Sequence, residues 1–174
     1  MQHDSIIQFK SYLEKPGKAL LALHRHPDPD SVASNLAMAD VLREYGHTVD
    51  IVSTDAIPSA MSFLSTSIQF VFLDDKVLDW SAYDTFWALD MAAGDRHGIA
   101  TPIPENLNIV VIDHHISNKG WGTVNIIDNK EQYVSTCSML LTFFKELHIN
   151  ITANRATTLL TGIAGDTGFF CVWQ

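Results

Sequence analysis

The chain alternates short apolar runs with longer stretches in which apolar residues recur every three or four positions. Short apolar runs bounded by turn residues predict strands, whereas the longer spacing predicts amphipathic helices. We interpret residues 18–23, 48–53, 69–73, 85–89, 108–112 and 124–127 as strands. The predicted helices cover residues 5–13, about 31–45, 57–64, 134–147 and 152–163.

Three of the predicted strands, residues 19–23, 85–89 and 108–112, are almost continuously apolar. Such strands are typical of parallel sheets, because both faces of these sheets are covered. The alternation of strands and helices therefore predicts an α/β fold with a mainly parallel β-sheet and helices on both faces. We expect residues 1–174 to form one domain. Asp30 or Ser31 is expected to cap the helix that follows the first strand.

Acidic and imidazole side chains follow these apolar strands directly. His24, Asp28 and Asp30 come after the first, Asp90 follows residues 85–89, and the sequence Asp-His-His at 113–115 follows residues 108–112. Because the carboxyl ends of parallel strands meet at one edge of a sheet, we expect these groups to converge there.

Each of these groups alone has an ordinary explanation. Asp28 and Asp30 are common helix-capping residues, Asp90 suits a turn, and the Gly-Asp-Thr-Gly sequence at 165–168 suits a helix end followed by a loop. Together, however, they supply enough nitrogen and oxygen ligands for two divalent ions such as Mn²⁺, Mg²⁺ or Fe²⁺. Asp90, isolated between the two clusters, is the natural carboxylate to bridge a metal pair.

Composition narrows the class of protein. The chain is 47% hydrophobic and 18% charged, which indicates a globular protein. A net charge of −9 argues against a broad surface for long nucleic acid, but not against a small phosphorylated ligand, since bound cations reverse the local charge. The sequence shows no targeting or membrane segment, so we expect a cytoplasmic protein. Cys137 and Cys171 lie in apolar surroundings and are expected to be reduced core residues.

The motifs resemble those of a known family. The pattern His-x-x-Pro-Asp-x-Asp at 24–30, Asp90 at a strand end, Asp-His-His at 113–115 and Asp166 in its glycine-flanked turn are similar, in order and spacing, to the four motifs of the DHH phosphoesterases. The similarity extends over residues 18–172. Within the family, the sequence resembles the branch of oligoribonucleases and phosphoadenosine phosphate phosphatases at four positions, Ala92, Arg96, Ser117 and Asn118.

The resemblance implies a role for each matching residue. One ion would bind His24, Asp28 and Asp90, and the other Asp30, Asp90, His114 and Asp166. His115 would face the substrate phosphate as a catalytic residue together with Asp90. Asp113 would orient a histidine by accepting its N–H. His26, where relatives often have Asn, would support a ligand, with an extra metal ligand or a substrate contact as the alternatives. Arg25, Arg96 and Asn118 are weaker candidates for substrate contacts.

The family also implies a second domain, with a glycine-rich motif that binds the nucleotide portion of the substrate. Nothing in this sequence matches that motif. We therefore expect residues 1–174 to be the catalytic domain, without the C-terminal substrate-binding domain.

The resemblance favours a two-metal phosphoesterase acting on short oligoribonucleotides, 3′-phosphoadenosine 5′-phosphate or linear dinucleotides, with Mn²⁺ as the expected ion. The ions would lower the pKa of a bridging water, and the resulting hydroxide would attack phosphorus. A manganese-dependent pyrophosphatase is an alternative, although Ile116 stands where those enzymes usually have a basic residue. A catalytically silent metal-binding regulatory domain is another, and a homodimer is left open.

Overall fold

The computed structural model describes residues 2–64, 69–128 and 130–170. Six strands in these ranges form one sheet in which every pairing is parallel. The strands are β1 (Lys18–Ala22), β2 (Thr48–Ser53), β3 (Phe70–Phe72), β4 (Thr85–Leu89), β5 (Asn108–Asp113) and β6 (Val124–Ile127). The helices are α1 (Gln2–Leu13), α2 (Pro29–Glu44), α3 (Thr136–Glu146) and α4 (Ala153–Asp166). The predicted α/β fold is confirmed.

The strand order is β3-β2-β1-β4-β5-β6. The chain runs from β1 outward to β3 and then returns to the other side of β1, where it continues through β4, β5 and β6. The loops that leave β1 and β4 therefore separate in opposite directions at their carboxyl ends. In open parallel sheets this switch point opens a crevice in which ligands bind. The residues after β1 and β4 border that crevice.

The two faces of the sheet are covered differently. Leu21 and Trp87 belong to the larger core, together with apolar residues of all four described α-helices. Leu20 and Phe86, which point to the other face, pack with Met91 and with Trp80 from a 3-10 helix at Trp80–Ala82. In the described ranges, connecting segments and this one helical turn therefore cover the second face, where the sequence predicts helices; the four α-helices all pack on the first face.

Some predicted boundaries differ from the structure. Asp28, rather than Asp30 or Ser31, is the N-cap of α2, and its carboxylate accepts a 2.9 Å hydrogen bond from the Ser31 N–H. Pro29 occupies the first helical position, where its missing N–H costs nothing. Residues 57–64, predicted as a helix, contain only a 3-10 turn at Ser59–Met61.

Helix α4 continues to Asp166, three residues beyond the predicted end. Its two glycines allow it to lie close to the start of α2. A Cβ atom at Gly162 would clash with Cys137 Sγ and would lie 2.7 Å from Asp30 Oδ1. A Cβ at Gly165 would lie 2.5 Å from the Cβ of Pro29. The small glycines therefore bring Asp166 next to the loop after β1.

No helix in the described part of the chain is long and apolar enough to cross a membrane. Cys137 is a buried free thiol, and its burial together with the negative charge of the neighbouring Asp30 raises its pKa above the usual range. The corresponding expectation for Cys171 concerns a position outside the described residues.

The packing of Gly162 leads to a stability prediction. We expect Gly162→Ala to lower the free energy of unfolding by about 1–2 kcal/mol, because the clash outweighs the gain in helix propensity. Urea unfolding would measure the change. Thr157→Ala, on the exposed side of α4, is the matched control and should change stability by less than about 0.5 kcal/mol. A Gly162→Ala variant as stable as the unaltered chain would contradict this packing.

Candidate metal centre

His24 lies just beyond β1, and its ring is held from one side. The Nδ1 atom donates to the carbonyl oxygen of Arg25 over 2.9 Å. The opposite ring nitrogen, Nε2, consequently faces the crevice, 3.4 Å from Asp28 Oδ2 and 3.4 Å from Asp90 Oδ2. A backbone hydrogen bond from Leu23 to Val52 of β2 fixes the preceding residue.

Asp90 occupies the middle of the cluster. It follows β4 in the left-handed backbone conformation, with φ of 56°, and its side chain is only 1% exposed. Its Oδ2 atom faces His24, whereas its Oδ1 atom lies 3.5 Å from His114 Nε2. The two oxygens of one carboxylate thus face two different imidazoles.

Asp30 is fully buried and lies against the first turn of α3. Its carboxylate accepts hydrogen bonds from the backbone N–H groups of Thr136 (2.6 Å) and Cys137 (3.0 Å). The positive end of the helix dipole favours an anion there. The Thr136 hydroxyl also donates to Asp90 Oδ1 over 3.3 Å. Sequence reasoning missed Thr136, because nothing in the sequence shows that α3 begins beside β1.

His115 is held by Asp113. The His115 Nδ1 atom lies 2.7 Å from Asp113 Oδ1, and Asp113 is completely buried. Asn118 donates to the other oxygen of Asp113 over 2.7 Å and to the Met91 carbonyl over 3.2 Å. The His115 side chain remains 45% exposed. Asn118 is buried and its amide is engaged within the fold, so its position favours a structural role over the expected substrate contact.

The remaining candidates lie around the rim. Arg25 and Arg96 are exposed, and the backbone N–H of Arg25 donates to the Arg96 carbonyl over 2.7 Å. The His26 side chain is 95% exposed, and its nearest charged neighbour is Asp55 at 3.8 Å. The ring therefore points away from the ligands, which does not support the expected role for this side chain.

The candidate ligands fall into groups that each could hold an ion. Within each group, one donor atom of every residue lies within 4.8 Å of the donors of the others. The three groups are His24, Asp28 and Asp90; Asp30, His114 and Asp166; and Asp90, His114 and His115. The structure therefore brings together all six of the expected metal ligands.

Charge balance shifts the pKa values of these groups. Burial opposes protonation of His24, but the Asp28 and Asp90 carboxylates outweigh it and raise the pKa of His24 to about 10. Burial likewise opposes protonation of His114, but Asp166 and Asp90 raise its pKa to about 10. Burial, together with the charges of Asp90 and Asp166, raises the pKa of Asp30 to about 7. Without metal, protons supply the positive charge that the carboxylates need.

The pKa values of Asp90 and His115 also depend on their charged neighbours. Burial alone would raise the pKa of Asp90, but the imidazoles of His114 and His24 overcome it and hold the pKa below its usual range. The hydrogen bond to Asp113 raises the pKa of His115.

The donor set fits a divalent cation. His114 Nε2 is buried and lacks a hydrogen-bond partner among the described residues, although Asp166 Oδ2 lies 3.1 Å away. An imidazole nitrogen directed at carboxylates without hydrogen-bonding geometry suits a shared cation between them. Mixed carboxylate and imidazole ligands are typical of Mn²⁺ and Fe²⁺ sites.

Residues 18–163 match the family model described as DHH family, N-terminal domain. An uncharacterised protein of Methanocaldococcus jannaschii is 29% identical over 166 residues, which cover 92% of this chain and 33% of that protein. The bifunctional oligoribonuclease and PAP phosphatase NrnA of Thermus thermophilus is 29% identical over 154 residues, covering 88% of this chain and 44% of NrnA.

A probable manganese-dependent inorganic pyrophosphatase of Brevibacillus brevis is 28% identical over 152 residues, covering 86% of this chain and 48% of that protein. The chain thus spans between a third and a half of the length of these relatives. An exopolyphosphatase-related protein from Bacteroides fragilis shares the fold, with a TM-score of 0.83 at 22% identity over 96% of this chain and 51% of that one.

The shifted pKa values predict how pH affects the metal-free protein. His24 and His114 bind protons more tightly when folded, so their contribution to stability is complete below pH 6.5 and is lost as the pH rises through about 10. The contribution of Asp30 has the same sign and is lost between pH 3.8 and about 7. The contribution of Asp90 has the opposite sign: it stabilises the fold above pH 3.8 and is lost as the pH falls below that value.

We therefore expect the melting temperature in EDTA to fall from mildly acidic to alkaline pH, and the stabilisation by added Mn²⁺ to grow over the same range, because metal displaces protons. Thermal unfolding with and without Mn²⁺ measures both trends. A melting temperature in EDTA that rises towards alkaline pH would contradict this electrostatic account.

Proposed function

We propose that this chain, which belongs to the DHH family, is the catalytic part of a two-metal phosphoesterase that hydrolyses small nucleotides. Its expected substrates are short oligoribonucleotides, 3′-phosphoadenosine 5′-phosphate or linear dinucleotides. The proposed ions are two divalent cations, with Mn²⁺ favoured because relatives include a probable manganese-dependent pyrophosphatase.

The position of Asp90 is the observation that supports this proposal most. One of its oxygens faces His24 at 3.4 Å and the other faces His114 at 3.5 Å. His24 and Asp28 lie on one side of it, and Asp30, His114 and Asp166 lie on the other. A carboxylate between two ligand groups is the arrangement that two ions about 3.5–4 Å apart require.

When bound, the two ions would supply an activated water and positive charge for the phosphoryl oxygens. Residues of the chain would orient the substrate and supply a proton. Asp113 holds the Nδ1 side of His115, which leaves the exposed ring free to present Nε2–H to a phosphate oxygen or to the leaving oxygen. The raised pKa of His115 keeps a proton available for that contact. Arg25 and Arg96 remain candidates for contacts with a second phosphate or a base.

The substrate class rests on the relatives and on charge. The Thermus relative is named an oligoribonuclease and PAP phosphatase, and both activities act on small nucleotides. The net charge of −9 disfavours a long nucleic acid as substrate, because proteins that bind long nucleic acids contact the phosphates through a basic surface. A small substrate held mainly by the cations is compatible with an acidic chain.

A pyrophosphatase is the second candidate function, because the Brevibacillus relative bears that name. Ile116, which follows the two histidines, is 57% exposed and offers no charge to a pyrophosphate. Parallel assays with pyrophosphate and with 3′-phosphoadenosine 5′-phosphate in Mn²⁺ distinguish the two. Metal uptake without hydrolysis of these two substrates, of short oligoribonucleotides or of linear dinucleotides would favour a silent metal-binding domain.

Asp90→Asn tests the bridging carboxylate. Asn keeps the size of the side chain and tolerates the left-handed backbone at this position, so the variant removes mainly the charge. We expect it to lose at least one ion and to be about 1,000-fold slower, since bridging ions contribute several kcal/mol to the transition state.

Asp75→Asn, at an exposed position, is the matched control and should retain metal content and rate. Metal content by elemental analysis and phosphate release by a colorimetric assay are the measurements. Wild-type metal content and rate in Asp90→Asn would remove the bridging assignment.

A further inference from the structure

The loop between His24 and Asp28 contains a strained residue. His26 has a φ of 54°, in the left-handed region that L-amino acids rarely adopt. Asn, Asp and His reach this region more readily than other residues, but still at a cost. Strain of this kind persists only where surrounding contacts hold the backbone in place. His26 therefore needs a contact that stabilises its conformation.

Asp55 provides that contact. Its Oδ2 atom accepts a 2.8 Å hydrogen bond from the backbone N–H of His26. The His26 ring nitrogen is farther away, at 3.8 Å, and the ring is 95% exposed, whereas the Asp55 side chain is 25% exposed. The backbone of His26, rather than its imidazole, is thus what Asp55 holds.

Asp55 is itself fixed at the carboxyl end of β2. The Ser53 hydroxyl donates to the Asp55 carbonyl over 2.7 Å, and the Ser53 carbonyl accepts from the Leu73 N–H over 2.9 Å. The Thr54 hydroxyl donates to the His97 carbonyl over 3.0 Å. One hydrogen bond within the turn and contacts to two neighbouring segments, at Leu73 and His97, therefore fix the backbone that carries the Asp55 carboxylate.

Both ends of the loop are anchored to Ser31, without the help of Asp55. The backbone N–H of His24 donates to Ser31 Oγ over 3.3 Å, and Asp28 caps α2. Between these ends, the turn at His26 sets the path by which Asp28 returns towards His24, and the two side chains come within 3.4 Å. A change at His26 would alter that approach, while Asp30, His114 and Asp166 are positioned by other elements.

We propose that Asp55 is a positioning residue of the metal centre: by holding the left-handed turn at His26, it sets the geometry of the ion site formed by His24, Asp28 and Asp90. The inference rests on the proposed two-metal function and assigns Asp55 to one of the two sites. Groups that orient metal ligands typically change affinity by about 10–100-fold when removed.

Calorimetric titration of the metal-free chain with Mn²⁺ tests the proposal. Asp55→Ala should weaken one of the two binding steps about tenfold or more and leave the other within about threefold. Asp55→Asn should restore most of the affinity, since its amide oxygen still accepts the His26 N–H. Asp74→Ala, which removes an exposed carboxylate just after β3, is the matched control and should bind both ions as the unaltered chain does.

Two substitutions of His26 separate its backbone from its ring. His26→Asn should keep both affinities, because Asn tolerates the left-handed conformation. His26→Val should weaken the same binding step as Asp55→Ala, because a β-branched residue strongly disfavours positive φ. An equal loss in His26→Asn and His26→Val would assign the effect to the imidazole and overturn the proposal.

Thermal unfolding of the metal-free variants separates positioning from general structural support. A structural role would lower the melting temperature of metal-free Asp55→Ala and weaken both ion sites together, which would overturn the proposal. Unchanged binding of both ions by Asp55→Ala would overturn it as well. By contrast, an unaltered chain that binds no pair of Mn²⁺ ions would refute the proposed function itself, so the two failures are distinguishable.

Discussion

Four carboxylates meet at the switch point of the sheet, and their mutual repulsion is the constraint that shapes the rest of the site. Asp30 and Asp90 are almost completely buried, and Asp28 and Asp166 lie beside them. Burying like charges is costly unless positive charge accompanies them. The backbone N–H groups of α3 and the protonated rings of His24 and His114 supply that charge in the metal-free chain, and divalent cations would supply more.

The fold brings these charges together through a few close approaches. Pairing of β1 with β4 places the loop of His24 beside Asp90. The glycines of α4 let that helix reach the start of α2 and deliver Asp166, while buried Arg155 ties the same two helices together through Asp40 and Glu44. Substitutions at these contacts would act on the metal centre from a distance, through geometry rather than through charge.

Much of this organisation can be predicted from the sequence, because local patterns determine it. Apolar strands followed by acidic and imidazole residues predict both the parallel sheet and the convergence at its edge, and the fold and family are confirmed. The supporting contacts are not predictable in this way. The hydrogen bonds from the His26 N–H to Asp55 and from the Thr136 hydroxyl to Asp90 join residues remote in sequence, and φ at His26 depends on the first of these contacts. The roles of the individual site residues remain predictions.

Anomalous diffraction from crystals of the chain grown with Mn²⁺ tests the central claim most directly. The account predicts two peaks about 3.5–4 Å apart, with Asp90 between them, His24 and Asp28 at one, and Asp30, His114 and Asp166 at the other. A single peak, or peaks away from Asp90, would contradict it.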